Sequence, residues 1–155
     1  MTPAINQLIA TKIKHSVLAY THDPTSASFG LEAVEKLNLS SKLVFKTLMV
    51  TLDGRDLVVA IVPVDTTLNM KKLAKIAKSK KAEMASQQSA EKSSGYILGG
   101  ISPLGQKRKL KTFIDESALV FEKIYVSGGK RGLEIELSAL DLISITKAVV
   151  CSLKK

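Results

Sequence analysis

VFKTLMVTLDGRDLVVAIVPV, Val44 to Val64, reads as two strands joined by a tight turn. Alternate residues of a strand share a face, so Val44, Lys46, Leu48, Val50 and Leu52 lie together and Phe45, Thr47, Met49 and Thr51 lie opposite. Asp53-Gly54-Arg55 supplies the turn, since Asp-Gly tolerates the left-handed backbone of a tight hairpin. The second strand, Leu57 to Val64, is an unbroken apolar run, too short to span a bilayer. A hairpin in mid-chain means antiparallel pairing, which argues against a doubly wound parallel sheet.

Working outward, Thr2-Pro3 opens a helix to about Lys12, because threonine caps and proline suits the first turn. Ser16 to Tyr20 reads as a strand, THDPTSAS as loop, and Leu31 to Leu37 as a short helix closed by Asn38. Beyond the hairpin, NMKKLAKIAKS (69–79) fits a basic helix with Leu73, Ile76 and Ala77 on one face. KAEMA fits a short strand and 86–93 a polar helix. Strands are expected at 110–115, 123–127 and 133–137, and Ser138 to Asp141 has the form of a capping box opening a helix to about Ala148. The fold class is therefore α+β: a mixed, mostly antiparallel sheet with helices packed outside, in a single domain spanning 1–155.

Composition narrows the function classes. The chain has one cysteine, Cys151, so no internal disulfide is possible, and a reducing cytoplasm is expected. Met1-Thr-Pro-Ala lacks the basic and apolar regions of a secretory signal, and no membrane partner is expected. The net charge of +9 is uneven: residues 1–70 hold six Lys/Arg against six Asp/Glu, and 71–155 hold seventeen against eight. That asymmetry suits a polyanionic partner, nucleic acid above all, although lysine-rich faces also serve solubility. With no tryptophan and few aromatics, a base-stacking platform is poorly supported.

Three features could carry chemistry. Lys46 sits on an apolar strand face, where it either snorkels outward or lines a cavity as an anchor for carbonyl or phosphate oxygens. GYILGGISPLGQKRK (95–109) nearly matches a phosphate loop, but Gln106 replaces its lysine, Lys107 replaces its magnesium-binding hydroxyl, and no helix comes after it. What remains is either a plain turn or a run of open backbone N–H groups forming an anion-binding concavity. SGGKRG (127–132) repeats the pattern of bare backbone beside Lys130-Arg131. His15 and His22 lie far from any carboxylate cluster or the lone thiol, so neither a metal nor another cofactor is expected. Cys151 in AVVCSL reads as an inert buried thiol. The chain offers no convincing nucleophile.

FGLEAVEKLNLSSKLVFKTLMV, NMKKLAKIAKSKKAEMA, SSGYILGGISPLGQKRKLKTFIDESA and IYVSGGKRGLEIEL closely resemble the YbaK family of bacterial aminoacyl-tRNA deacylases, from about Met1 to Ala148. The resemblance implies a barrel-like sheet of six to seven strands surrounded by helices, related to the editing domain of prolyl-tRNA synthetases. It implies removal of cysteine from Cys-tRNA(Pro) in trans, with the synthetase in a ternary complex. By motif, Lys46 becomes the central cation, with Tyr20, Phe29, Gly30 and Thr47 beside it. Gly99, Gly100, Ile101 and Ser102 supply backbone contacts, Ser127, Gly128 and Gly129 form the opposite wall, and Glu134 lies nearby. The family's mechanism explains the missing nucleophile, because the substrate's own thiol attacks its ester. Rival expectations are a non-catalytic tRNA- or nucleotide-binding module and an editing deacylase for another amino acid, such as alanine.

Overall fold

A computed structural model describes residues 1–155. The central hairpin forms as its alternation requires: β2 (Phe45–Leu52) and β3 (Asp56–Pro63) pair antiparallel from Phe45 opposite Pro63 to Leu52 opposite Asp56. Asp53 and Gly54 turn the chain with φ of 52° and 70°, the left-handed region an Asp-Gly turn can occupy. Both faces of this hairpin are covered. Phe45, Met49, Val59 and Ile61 enter one core, whereas Val50, Leu52, Val58, Ala60 and Val62 enter a second. Burial on both sides is why β3 reads as a continuous apolar run rather than an alternating one.

The elements around it are α1 (Pro3–Ala10), β1 (His15–Ala19), α2 (Phe29–Lys36), α3 (Met70–Ile76), β4 (Ala82–Met84), α4 (Gln87–Ser94), β5 (Thr112–Asp115), a 3-10 turn (Glu116–Val120), β6 (Lys123–Ser127), β7 (Leu133–Ser138), α5 (Ala139–Thr146) and β8 (Val149–Cys151). One sheet has the order β4-β2-β3-β5-β8, with β3–β5 and β5–β8 parallel. The other, β1-β7-β6, is antiparallel throughout. A bridge between Val44 and Tyr125 joins them, reinforced by the Tyr125 N–H donating to the Leu43 carbonyl at 2.9 Å. The α+β class and the mixed, mostly antiparallel pairing hold, with eight strands where six to seven are expected.

Differences from the sequence expectation have local causes. α2 begins two residues early because Ser28, not a later residue, caps it. α3 stops at Ile76, since Lys78 adopts φ 57° and its N–H returns to the Lys75 carbonyl. Lys147 takes φ 55° and ends α5, freeing Val149–Cys151 to become an additional strand beside β5. Asp115 then fastens the C-terminal segment, accepting from the Leu153 N–H at 2.9 Å, and Leu153 is fully buried in the second core. No helix is long and apolar enough to cross a membrane.

Candidate active site

Where the two sheets meet, the strands, α2 and the two glycine loops enclose a cavity of about 300 Å³. That is the lower end of the range for small-ligand sites. Pairing register builds one wall: Glu134 of β7 lies opposite Leu18 of β1 and Ser127 of β6. β2 builds another with Lys46 and Thr47. Lys46 is half-buried, and its Nζ donates to the Thr66 carbonyl at 2.7 Å, leaving two further N–H donors. Burial lowers its pKa, opposed by the charge of Asp65. The side chain thus does both things its position allows, lining the cavity and reaching toward the loop after β3. Thr47 Oγ1 is buried there with no protein partner. An unpaired buried hydroxyl costs on the order of 1–3 kcal/mol.

Phe29, at the start of α2, is held by two neighbours. The His22 ring lies 5.6 Å from it and the Arg131 guanidinium 5.1 Å above it, while Arg131 Nε donates to the Leu98 carbonyl at 2.9 Å. Glu32 anchors the loop behind, accepting from His22 Nδ1 and the Asp23 N–H, both at 2.6 Å. Burial alone would raise the Glu32 carboxyl, but these hydrogen bonds outweigh it and hold the pKa below the ordinary value. Gly99 approaches the other edge of Phe29 so closely that a Cβ would lie 2.7 Å from the ring, and its φ is +89°. Only glycine fits there.

Glu134 is buried, makes no hydrogen bond or ion pair, and burial pushes its pKa up to about 8. Burial, together with the charges of Glu134 and Glu32, pushes the neighbouring Tyr20 phenol to about 12. Both groups are therefore mainly protonated at neutral pH. The hydroxyls are not activated: Ser28 Oγ accepts from the Leu31 N–H, Ser127 Oγ from the Gly129 N–H, and no carboxylate or imidazole is bonded to either. Cys151 lies apart in β8. Burial, with the Asp115 and Glu116 charges adding, pushes its thiol up to about 11.

Residues 24–145 match the family model of the aminoacyl-tRNA editing domain, a span that contains every residue lining this cavity except Tyr20. The chain belongs to that family. An Enterococcus faecalis protein with the provisional name Cys-tRNA(Pro)/Cys-tRNA(Cys) deacylase is 38% identical to this editing domain over 133 residues, covering 86% of this chain and 79% of its own. Among solved structures, one described as a proposed trans-editing enzyme for prolyl tRNA synthetase superposes with TM-score 0.83 at 18% identity, covering 99% of this chain and 95% of that one. A hypothetical protein superposes with TM-score 0.87 at 22% identity, covering 99% of each chain. At those identities the two structures share the fold.

The editing domain brings Tyr20, Phe29, Gly30, Lys46, Thr47, Gly99, Ile101, Ser127 and Glu134 to the cavity. Four expected members do not line it. Gly100 packs against the other glycine loop, where a Cβ would meet the Lys130 backbone at 2.7 Å, and its N–H is bound to the Ile97 carbonyl. Ser102 is fully buried, its Oγ accepting from the Leu104 N–H. Gly128 accepts from Thr2 Oγ1 through its carbonyl, and a Cβ on Gly129 would strike Tyr96 at 2.9 Å and Thr2 at 3.0 Å. These glycines dock the loops on each other and on the start of α1. The N–H groups of Gly99 and Ile101, by contrast, bond to nothing in the protein. Sequence reasoning left out Lys130, Leu98 and Val64, which also line the cavity. The doublet Lys130-Arg131 was the visible signal for the first of these.

Proposed function

We propose that this editing domain is a trans-acting deacylase that frees cysteine from Cys-tRNA(Pro), with the cysteine thiol as the nucleophile. The observation that carries this reading is a ligand-sized cavity beside an ammonium group, holding hydroxyls of which none is paired with a base. A hydrolase that uses its own nucleophile needs such a pair within hydrogen-bond reach. The name of the E. faecalis relative and the fold shared with the proposed trans-editing enzyme support the same substrate class.

In this mechanism the substrate sulfur attacks the ester carbonyl of its own residue. A carbon–sulfur bond forms, the bond from the carbonyl carbon to the ribose oxygen breaks, and the thiol proton ends on that oxygen. The products are a cyclic thiolactone, which water then opens, and deacylated tRNA. The protein's task is to fold the aminoacyl group so that thiol and carbonyl meet, and to stabilise the developing negative oxygen. Lys46 supplies the cation, and the open N–H groups of Gly99 and Ile101 are the backbone donors in place of those of Gly100 and Ser102. Prolyl-tRNA synthetase, in a ternary complex, supplies the choice of tRNA. Editing is needed because binding alone separates near-isosteric amino acids poorly.

The test is a panel of proline tRNAs charged with cysteine, serine or alanine. Cysteine is released, whereas serine, which differs only in hydroxyl for sulfur, survives nearly untouched. Release of serine at the cysteine rate would require a conventional hydrolase. Faster loss of alanine would assign another substrate, and inertness toward all three would leave a binding module. Lys46→Ala slows cysteine release by about 100-fold, the scale on which a single charge-stabilising donor matters.

A further inference from the structure

The loop that passes the cavity at Gly99 and Ile101 continues through Pro103 and Gly105 into a second depression. This groove, about 360 Å³, lies between residues 103–112 and the C-terminal end of α5. Arg108, Lys109, Lys111 and Lys147 line it, and no carboxylate does. The molecule's ion pairs lie elsewhere, at Glu32 and Glu83, so these four cations are unneutralised. Lys147 alone would signal little, since a cation is favoured at a helix C-terminus. Of the other three, Lys111 has its ammonium 5.9 Å from the Phe113 ring centroid, whereas Arg108 and Lys109 have no side-chain partner in the protein and come from a separate segment.

Their backbone is fixed. The N–H groups of Lys107 and Arg108 donate to the Ser94 and Ser93 carbonyls at 2.9 and 3.1 Å, and the Gly105 N–H donates to Gln7 Oε1 at 2.7 Å. Tyr96 OH donates to the Leu104 carbonyl at 2.6 Å. The side chains beyond are exposed. Like charges gathered along a concave frame, with no carboxylate among them, favour an anion in the space they line. A bilayer fits poorly, because the only aliphatic members of the lining, Leu110 and Ile145, are half-buried and cannot insert. A chain of phosphates fits well.

We propose that this groove holds the sugar–phosphate backbone of RNA: the stem of the tRNA whose charged 3′ end occupies the cavity. The assignment rests on the deacylase reading for the identity of the RNA and on the groove's own charge for its affinity. It separates the two jobs of one loop, with Gly99 and Ile101 at the reacting ester and residues 108–111 on phosphates.

Two triple variants decide it: Arg108→Gln/Lys109→Gln/Lys111→Gln in the groove, and Lys71→Gln/Lys75→Gln/Lys78→Gln on exposed positions of and just beyond α3 as an equal charge control. Binding of uncharged proline tRNA is followed by fluorescence anisotropy across a salt series. The groove variant lowers the slope of log affinity against log salt by about 3, roughly one for each phosphate no longer neutralised. KM for Cys-tRNA(Pro) rises at least about tenfold, the change expected when three phosphates keep their counterions on binding. Its kcat, and its turnover of a cysteinyl-adenosine ester that has no stem, stay at the wild-type value. The control variant changes none of these. The proposal is overturned by wild-type tRNA affinity and slope in the groove variant, or by an equal loss in the control, which would mean diffuse attraction. Loss of small-ester turnover would overturn it too, as would groove-dependent binding to anionic vesicles without tRNA. If wild-type protein turned over neither substrate, the deacylase reading would fall while the anisotropy arms still tested the groove.

Discussion

Glu134 faces the cavity from the middle of a three-stranded sheet, between Leu18 and Ser127, with a carboxyl that burial holds neutral to about pH 8. An unfolded chain releases that proton near pH 4.5, the ordinary value for the group. The folded state therefore binds more protons between these limits, and stability falls as pH rises through that window, levelling above it. Glu134→Gln removes this slope, so its Tm varies less than wild type's between pH 5 and 8 when the two are melted in parallel. Alternation along β7 puts Glu134 on the same face as Glu136. Yet Glu136 is half-exposed and hydrogen-bonded to Tyr125, whereas Glu134 is buried. Period-two patterning gives the face of a residue but not what covers that face along its length. Here the cover is the cavity, assembled from segments remote in sequence.

At the scale of elements, the glycine loops owe their shape to neighbours. Gly105 has φ +62°, and a Cβ there would stand 2.4 Å from the Pro3 carbonyl carbon and 2.7 Å from the Ala4 nitrogen, backbone atoms that cannot step aside. Gly105→Ala must either push α1 off the loop or move the loop. A loss of about 1–3 kcal/mol in chemical denaturation is expected. Gly54→Ala, at a similar φ but in open space, loses less. The sequence made the glycines conspicuous but not their partners, because packing between residues 3 and 105 is tertiary. The hairpin was legible since turn and strands are adjacent. β8 was not: three residues long, it pairs in parallel with β5 across the whole of α5, and neither length nor period marks it.

Over the whole molecule, the hairpin separates two cores, and the cavity shares Phe45, Ile101 and Leu133 with the first of them. The second core, from Val50 and Val62 to Leu153, lies on the side of the hairpin away from Phe45 and Met49, while the cavity sits where the sheets join at Val44 and Tyr125. The charge asymmetry between chain halves was plain in the sequence. The gathering of four of those cations in one groove was not, because Lys147 joins Arg108, Lys109 and Lys111 only once α5 packs. The isolation of Cys151 bears on how the chemistry can be probed. With its thiol pushed to about 11 and bonded to the Val149 carbonyl in β8, the protein presents almost no thiolate at neutral pH. Brief treatment with iodoacetamide, followed by removal of the reagent, leaves the enzyme active. Under the proposed mechanism, the same treatment of Cys-tRNA(Pro) caps the attacking sulfur and makes the charged tRNA resistant. A single alkylating reagent thus tells apart a nucleophile that arrives with the substrate from one that belongs to the protein.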